Sequence, residues 1–290
     1  MFGSLVVLYL FLGGFGAGIV FIESIWSLYV KYCGQPLIAQ APFVRQRSVG
    51  LLVGTLALAL GVACLAFDLG RPDRALYVLL RPTWSLLSVG SYLLMGALAL
   101  AALLTWRSFK LGKTFESSIF HSWLCGIALV LCVGVMGYTG LYLQSIKSVA
   151  IWDTWLLPAM FIVSSASCGI AAVYLVNYFV LDGWRLEKPL HKLHGVHMGL
   201  LLIEGILLAI YVVVMAGNNF AKASFALLVS PIDYGVWFGI GLFVLCLLAP
   251  FFGEVYEFFV RPKRPLPAMY VLCILGGFLL RFCIVGVGLH

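Results

Sequence analysis

The sequence predicts an all-α integral membrane protein, a bundle of eight transmembrane helices with almost no soluble portion. Of its 290 residues, 63% are hydrophobic and only 10% are charged, against roughly 25% charged in a typical soluble domain. Eight apolar runs are long enough to cross a bilayer, which takes about 20 residues each. Because backbone polar groups in hydrocarbon must be satisfied within their own segment, each run is predicted to be a helix.

The eight predicted segments form a single membrane domain over residues 1–290. In order, they cover residues 4–30, 49–67, 85–106, 118–143, 155–180, 198–217, 235–253 and 267–288. The first could instead be a signal peptide, but no basic residue precedes its apolar run, and the run is too long for a signal h-region. It is therefore predicted to be the first membrane helix. Pro158 and Pro250 can kink the fifth and seventh helices.

Basic residues are distributed unequally between the two sets of loops, which predicts the orientation. One side has twelve: Lys31, Arg45, Arg47, Arg107, Lys110, Lys113, Arg185, Lys188, Lys192, Arg261, Lys263 and Arg264. The other has five: Arg71, Arg74, Arg81, Lys147 and Lys222. The positive-inside rule places the twelve in the cytoplasm. The chain is therefore predicted to lie in the cytoplasmic (inner) membrane with both termini extracytoplasmic. The net charge of +7 then reflects topology and does not indicate nucleic-acid binding.

Three ionisable residues interrupt the apolar segments: Glu23 in the first, Glu204 in the sixth and Arg281 in the eighth. Each costs about 2.5–3.5 kcal/mol at a helix centre on insertion scales. Both glutamates are expected in the cytoplasmic half, where they could form a proton path. Arg281 is expected in the outer third, where it could bind an anion or a quinone oxygen. The alternative for all three is hydrogen bonding between helices.

Two tyrosines lie near the outer end of the fourth segment. Tyr138 and Tyr142 are four residues apart and share a helix face. Either could anchor the helix at the membrane interface, or hydrogen-bond a quinone carbonyl through its hydroxyl. Gly137 and Gly140 flank Tyr138 and are expected to open space for a ligand. Gln144, at the end of the segment, is a further candidate ligand.

Asp68 directly follows the second apolar run, and Arg71 is close enough in sequence to pair with it. A charged pair at a helix end could position a polar headgroup or a partner subunit. A solvated loop is the alternative.

The histidines and cysteines argue against bound metal. His121, His191, His194 and His197 are expected at the cytoplasmic edge, and His290 is the last residue, whereas haem in membrane cytochromes is held within the hydrocarbon. The eight cysteines are scattered, with no CxxC pair, and a four-Cys cluster needs grouped thiolates. The expectation is no haem, no iron–sulfur cluster and no metal site in this chain.

Several phrases along the chain resemble the NrfD/PsrC family of quinone-reactive membrane subunits, the polysulfide-reductase type. They are Leu69-Gly70-Arg71-Pro72, Tyr138-Thr139-Gly140 with Ser145 and Lys147, Leu157-Pro158-Ala159-Met160-Phe161, Ser164-Ser165-Ala166-Ser167-Cys168-Gly169 and Leu280-Arg281-Phe282. The resemblance runs from the first segment to the last. It implies eight helices in two four-helix bundles.

The same resemblance implies a function in anaerobic respiration. Such a subunit oxidises menaquinol near the outer surface and passes the electrons to an extracytoplasmic four-cluster ferredoxin-like iron–sulfur subunit. From there they reach a molybdopterin reductase. Tyr138 matches the family tyrosine at the quinone site, and Asp68 and Arg71 match part of the outer-loop motif.

Together, the residues and the resemblance give the candidate sites. Tyr138 and Asp68 are the catalytic candidates. The quinone ligands are Tyr138, Arg71, Tyr142, Gln144 and Arg281, and the proton path is Glu23 and Glu204. The alternative functions are a proton-coupled small-molecule transporter, in which the intramembrane charges line a path, and an inert membrane anchor.

Overall fold

The computed structural model describes residues 4–32, 41–68, 85–112, 118–181, 187–218, 220–230, 234–260 and 266–288. The helices in these ranges are α1 (Ser4–Tyr32), α2 (Ala41–Asp68), α3 (Leu86–Leu111), α4 (Ile119–Gln144), α5 (Leu156–Leu181), α6 (Glu187–Gly217), α7 (Lys222–Val229), α8 (Val236–Leu248), α9 (Ala249–Val260) and α10 (Pro267–Val287). Helices α8 and α9 follow one another directly and make one crossing. Eight crossings are long and apolar enough to span a bilayer, which confirms the predicted fold class.

Local sequence signals set several helix ends. Ser85 and Ser118 cap α3 and α4, because their hydroxyls accept hydrogen bonds from the amides of Ser88 and Phe120. Gly112 ends α3 in a left-handed conformation, with φ of 50°. Helix α8 is wound more widely than an α-helix: the amide of Ala249 donates to the carbonyl of Val244, five residues back.

Four helices extend well beyond their predicted ends, which corrects the positions of several charged residues. Helix α3 continues to Leu111 rather than ending at residue 106, so Arg107 and Lys110 are helical. Helix α2 begins at Ala41 rather than at residue 49, so Arg45 and Arg47 are helical. Helix α6 begins at Glu187 rather than at residue 198, and α9 continues to Val260 rather than ending at residue 253. The apolar runs mark only the hydrocarbon part of each helix, because the helix continues through the interface where polar residues are tolerated.

Helices α1 and α5 lie side by side at the centre of the molecule. Helix α1 packs against α2, α4 and α5, while α5 also contacts α4, α6 and α10. The two helices cross at Gly18 and Gly169, where a side chain on either residue would overlap the backbone of the other helix. Such small-residue contacts permit close helix approach in membranes. The division into two four-helix bundles stays a prediction, since α1 and α5 join the first four crossings to the last four.

The two ends of the bundle are defined by the course of α1. The N-terminal end is the end at which α1 begins, together with the ends of α2 and α4 and the beginnings of α3 and α5. The opposite end is the end at which α1 finishes and α6 begins.

Candidate functional site

Two buried tyrosines meet at the N-terminal end of the bundle, and we call them the tyrosine pair. Tyr9 on α1 is 3% exposed and Tyr138 on α4 is 5% exposed. Their hydroxyls lie within hydrogen-bonding reach of each other, and neither bonds any other residue that the structure describes. A bond between two hydroxyls uses one donor and one acceptor, so it leaves one O–H group without an acceptor. An unsatisfied buried hydroxyl costs about 1–3 kcal/mol. The pair therefore offers two hydrogen-bonding groups to a ligand with polar oxygens.

A glycine on α3 makes room for one of these rings. Gly90 lies directly against the ring of Tyr138, and a Cβ atom at this position would overlap the ring carbons. The expectation that Gly137 and Gly140 open space for a ligand was wrong. A Cβ at Gly140 would meet the backbone of Pro158, and one at Gly137 would contact Ile162. Both residues are therefore places where α4 packs against α5.

The other candidates from the sequence surround the tyrosine pair at this end. The ring of Tyr142 lies 6.1 Å from that of Tyr138, centroid to centroid. Asp68, the last residue of α2, is exposed and close enough to act electrostatically on Tyr9 and Tyr142. Gln144 is half-buried at the end of α4. Arg71 lies outside the described residues.

Arg281 lies deeper, between α1, α5 and α10, where it is 1% exposed. Its guanidinium donates to the Gly277 carbonyl at 2.7 Å and to the Ser165 hydroxyl at 2.7 Å. It also lies 4.8 Å from the centre of the Phe161 ring, at a cation–π distance. Its side chain therefore joins α10 to α5 and, against Gly14, to α1.

Glu204 is the electrostatic partner of Arg281. The sequence had placed the two at different depths, because the sixth helix was predicted to begin at residue 198. With α6 beginning at Glu187, Glu204 falls in the middle of the helix, within electrostatic reach of Arg281. The structure thus brings together two charges that were predicted to act separately.

Glu23 belongs to a polar cluster in the first half of the chain, toward the opposite end. It is 1% exposed and accepts a hydrogen bond from the Gln46 amide at 3.0 Å. One turn further along α1, Ser27 shares a 2.9 Å hydrogen bond with His121, and Arg47, which is fully buried on α2, is within electrostatic reach of that histidine. The sequence reasoning missed the burial of Arg47 because it placed that residue in a loop.

A second polar cluster toward the opposite end was also missed. It consists of His194 and His197 on α6, Glu254 and Glu257 on α9, and Tyr270 on α10, with hydrogen bonds and ring contacts among all of them. The signal that could have found it is the spacing of three residues in each pair, which places both members on one helix face. That α6 packs against α9 could not be predicted from the local sequence of either helix.

Metal-ligating side chains are not grouped within the described ranges. No three His, Cys, Asp or Glu side chains there are arranged to hold a metal ion. The cysteines that the structure describes are free thiols.

Similarity to known proteins establishes the family. The family model for polysulphide reductase, NrfD, matches residues 1–290. The chain is similar to the C subunit of the polysulfide reductase of Wolinella succinogenes, at 26% identity over 264 residues, covering 81% of this chain and 77% of the relative. It is similar to protein NrfD of Escherichia coli, at 26% identity over 98% of this chain and 93% of the relative. An NrfD homolog of Haemophilus influenzae is 24% identical over 98% of this chain and 92% of the relative. With the family matched over its whole length and eight apolar crossings, this chain belongs to the polysulphide reductase NrfD family as a multi-pass membrane protein.

Proposed function

We propose that this chain is the quinol-oxidising membrane subunit of a respiratory oxidoreductase. It would take electrons from menaquinol and pass them to an extracytoplasmic iron–sulfur subunit, which feeds a molybdopterin-type reductase. Family membership supports a role as one subunit of a reductase complex. The observation that carries the proposal is the tyrosine pair, two buried hydroxyls that neighbour each other and bond no other described residue.

In the tyrosine pair, two phenolic hydroxyls supply the donor and acceptor groups that the oxygens of a quinol headgroup need. Menaquinol bound there would supply two electrons and two protons. The hydroxyl of Tyr138 would hydrogen-bond one ligand oxygen, and that of Tyr9 would hold the ligand from α1. The apolar surroundings strengthen such bonds, since little water competes for the same groups.

Asp68 is well placed to accept protons from this site, because it is exposed at the end of α2 and acts on Tyr9 and Tyr142. We assign Tyr142 and Gln144 to the rim of the site, and we propose Arg71, which lies outside the described residues, as a further quinone ligand on the basis of the sequence alone. Arg281 is proposed as a positioning residue, since its guanidinium already bonds α5 and α10 and contacts α1 only a few residues from Tyr9.

We propose that the N-terminal end of the bundle faces outward, as the twelve-to-five basic asymmetry predicts. The tyrosine pair would then lie on the side of the iron–sulfur subunit. A periplasmic reporter fused after His290 is expected to be active, and a cytoplasmic reporter at the same position inactive. The reverse pattern would place the proposed quinol site on the cytoplasmic side.

Glu23 is proposed as part of a proton path from the opposite end, since it is buried and bonded to Gln46. Glu23→Gln keeps the shape of the side chain and removes its ability to take up a proton. We expect a severalfold lower proton yield per electron pair, with the complex still assembled. The measurement is dye-detected proton movement in vesicles during quinol oxidation. An unchanged yield would reduce Glu23 to a packing residue.

Purification of the complex tests the proposed function. A co-purifying iron–sulfur subunit that is reduced on addition of menaquinol is the expected result. Co-purification without reduction by menaquinol would favour the inert anchor. A chain that purifies alone and carries a solute across vesicle membranes would favour the transporter.

A further inference from the structure

The His194–Glu254–His197 cluster is a continuous hydrogen-bonded chain. One carboxylate oxygen of Glu254 lies 2.5 Å from Nδ1 of His194, and the other lies 2.7 Å from Nδ1 of His197. Each imidazole thus keeps its Nε2 atom for a further partner. A carboxylate that bridges two imidazoles can take a proton on one oxygen and release one from the other.

The chain continues from both imidazoles. On the inner side, Nε2 of His197 lies 3.2 Å from the Ser167 hydroxyl, which lies 3.3 Å from the Cys273 thiol. On the outer side, Nε2 of His194 lies 3.6 Å from Glu257. Glu257 also accepts hydrogen bonds from the Tyr270 hydroxyl and the Leu266 amide. The groups therefore form a line, with Glu257 at one end and Cys273 at the other.

Burial shows which end of this line meets solvent. The side chain of His194 is 15% exposed, that of Glu254 is 2% exposed and that of His197 is fully buried. Among these three groups, His194 is the most exposed and His197 the least. The chain is thus open at the opposite end of the bundle and closed inside.

The inner end of the line leads to Glu204. Residues 194, 197 and 204 lie on one face of α6, and seven residues advance about 10.5 Å along a helix. On α10, positions 270, 273, 277 and 281 form a matching stripe. Cys273 is within electrostatic reach of Glu204, and so is Arg281. The two stripes face each other across Ser167 and Cys168 of α5.

Packing alone does not require this arrangement. A single hydrogen bond can join two helices at about 0.6 kcal/mol in a membrane, whereas here two glutamates and two histidines are buried together at a much higher desolvation cost. The line also connects side chains from four different crossings in one continuous series. Hydrogen bonds that only hold two neighbouring helices together would not need such a series. The line starts near solvent and runs toward Glu204. Among the described residues of this half of the chain, Glu204 is the one buried acid in the middle of a membrane helix.

We propose that this line is a proton relay that loads Glu204 from the opposite end of the bundle, separate from the Glu23 cluster. A proton arriving at Nε2 of His194 displaces the one on Nδ1 to Glu254. The proton already shared between the other oxygen of Glu254 and Nδ1 of His197 then moves onto the imidazole, and His197 releases one from Nε2 to Ser167. The thiol of Cys273 passes it on to the carboxylate of Glu204, which becomes a carboxylic acid. One proton enters, one is gained by Glu204, and no electron moves.

The relay rests on the proposed function, because quinol oxidation would supply the energy to release the proton from Glu204 again. Protonation of Glu204 through the relay can nevertheless be tested without turnover. Proteoliposomes carrying the complex are adsorbed on a solid-supported membrane and given a step to lower pH. Loading Glu204 moves charge part of the way into the membrane and is expected to give a transient current. Glu204→Gln should abolish it, and Ser167→Ala or Glu254→Gln should reduce it roughly tenfold.

Ser48→Ala is the matched control, since Ser48 is equally buried and shares a 2.7 Å hydroxyl bond with Ser108 in another part of the protein. It should leave the transient unchanged, and Ser167→Thr, which keeps a hydroxyl, should restore most of it. A wild-type complex without a transient, or Ser167→Ala and Glu254→Gln variants with the full transient, would overturn the relay. Menaquinol oxidation in the same preparations tests the proposed function separately.

Discussion

Tyr138→Phe should lower menaquinol oxidation severalfold to tens-fold while leaving the complex assembled. The substitution keeps the ring and removes only the hydroxyl, and a buried hydrogen bond to a ligand is worth about 0.5–1.5 kcal/mol, or more if the partner becomes charged. Reduction of the terminal acceptor by an artificial dye bypasses the membrane subunit and should be unaffected. The measurement is menaquinol-dependent turnover against dye-dependent turnover in the same preparation.

Thermal stability separates this effect from damage to the fold. Because Tyr9 is the one described residue within hydrogen-bonding reach of the Tyr138 hydroxyl, removal of that hydroxyl should change stability little. Tyr211→Phe is the control: this equally buried hydroxyl donates to the Ile151 carbonyl at 3.0 Å. It should lower stability by roughly 1 kcal/mol and leave menaquinol oxidation per folded complex intact. Wild-type menaquinol kinetics in Tyr138→Phe would make Tyr138 an interfacial anchor.

Gly90→Ala should have a comparable or larger effect on menaquinol oxidation, although Gly90 carries no chemistry. Its new Cβ would occupy the position of the Tyr138 ring. Overpacking of this kind costs about 1–3 kcal/mol and shifts neighbouring side chains. A displaced ring carries its hydroxyl away from Tyr9, so we expect a loss of menaquinol oxidation of roughly tenfold or more.

Gly126→Ala on α4 is the matched control for Gly90→Ala, since nothing lies within 4 Å of a Cβ at that position. It should retain wild-type turnover and assembly. Equal activity of the two variants would mean that the position of the Tyr138 ring does not matter for quinol oxidation.

The eight crossings could be predicted from sequence because hydrocarbon dictates both the length and the helical state of each apolar run. The ends of the helices could not. Arg47 lay before the start of its predicted segment, and Glu254 and Glu257 lay beyond the end of theirs. All three are nevertheless buried on helices. Charged residues are tolerated there only because they meet partners on other helices, and such pairings depend on packing rather than on local sequence.

Part of the candidate site was visible in the sequence. Tyr138 and Tyr142 were recognised because they share a face near a helix end and occur in a phrase that resembles the family. Tyr9 was missed, since one tyrosine in an apolar run near the start of a helix looks like an interfacial anchor. Its importance arises only where α1 meets α4. Likewise Gly90, on α3, could not be linked to Tyr138 before the two helices were seen in contact.

Photolabelling of the assembled complex with a photoreactive menaquinone analogue tests the central claim most directly. The label should be found by mass spectrometry on peptides of α1 around Tyr9 and of α4 around Tyr138. Excess menaquinone should suppress it, and Gly90→Ala should weaken it. Competable labelling around Arg281 and Glu204, with none near Tyr9 or Tyr138, would contradict a quinol site at the tyrosine pair.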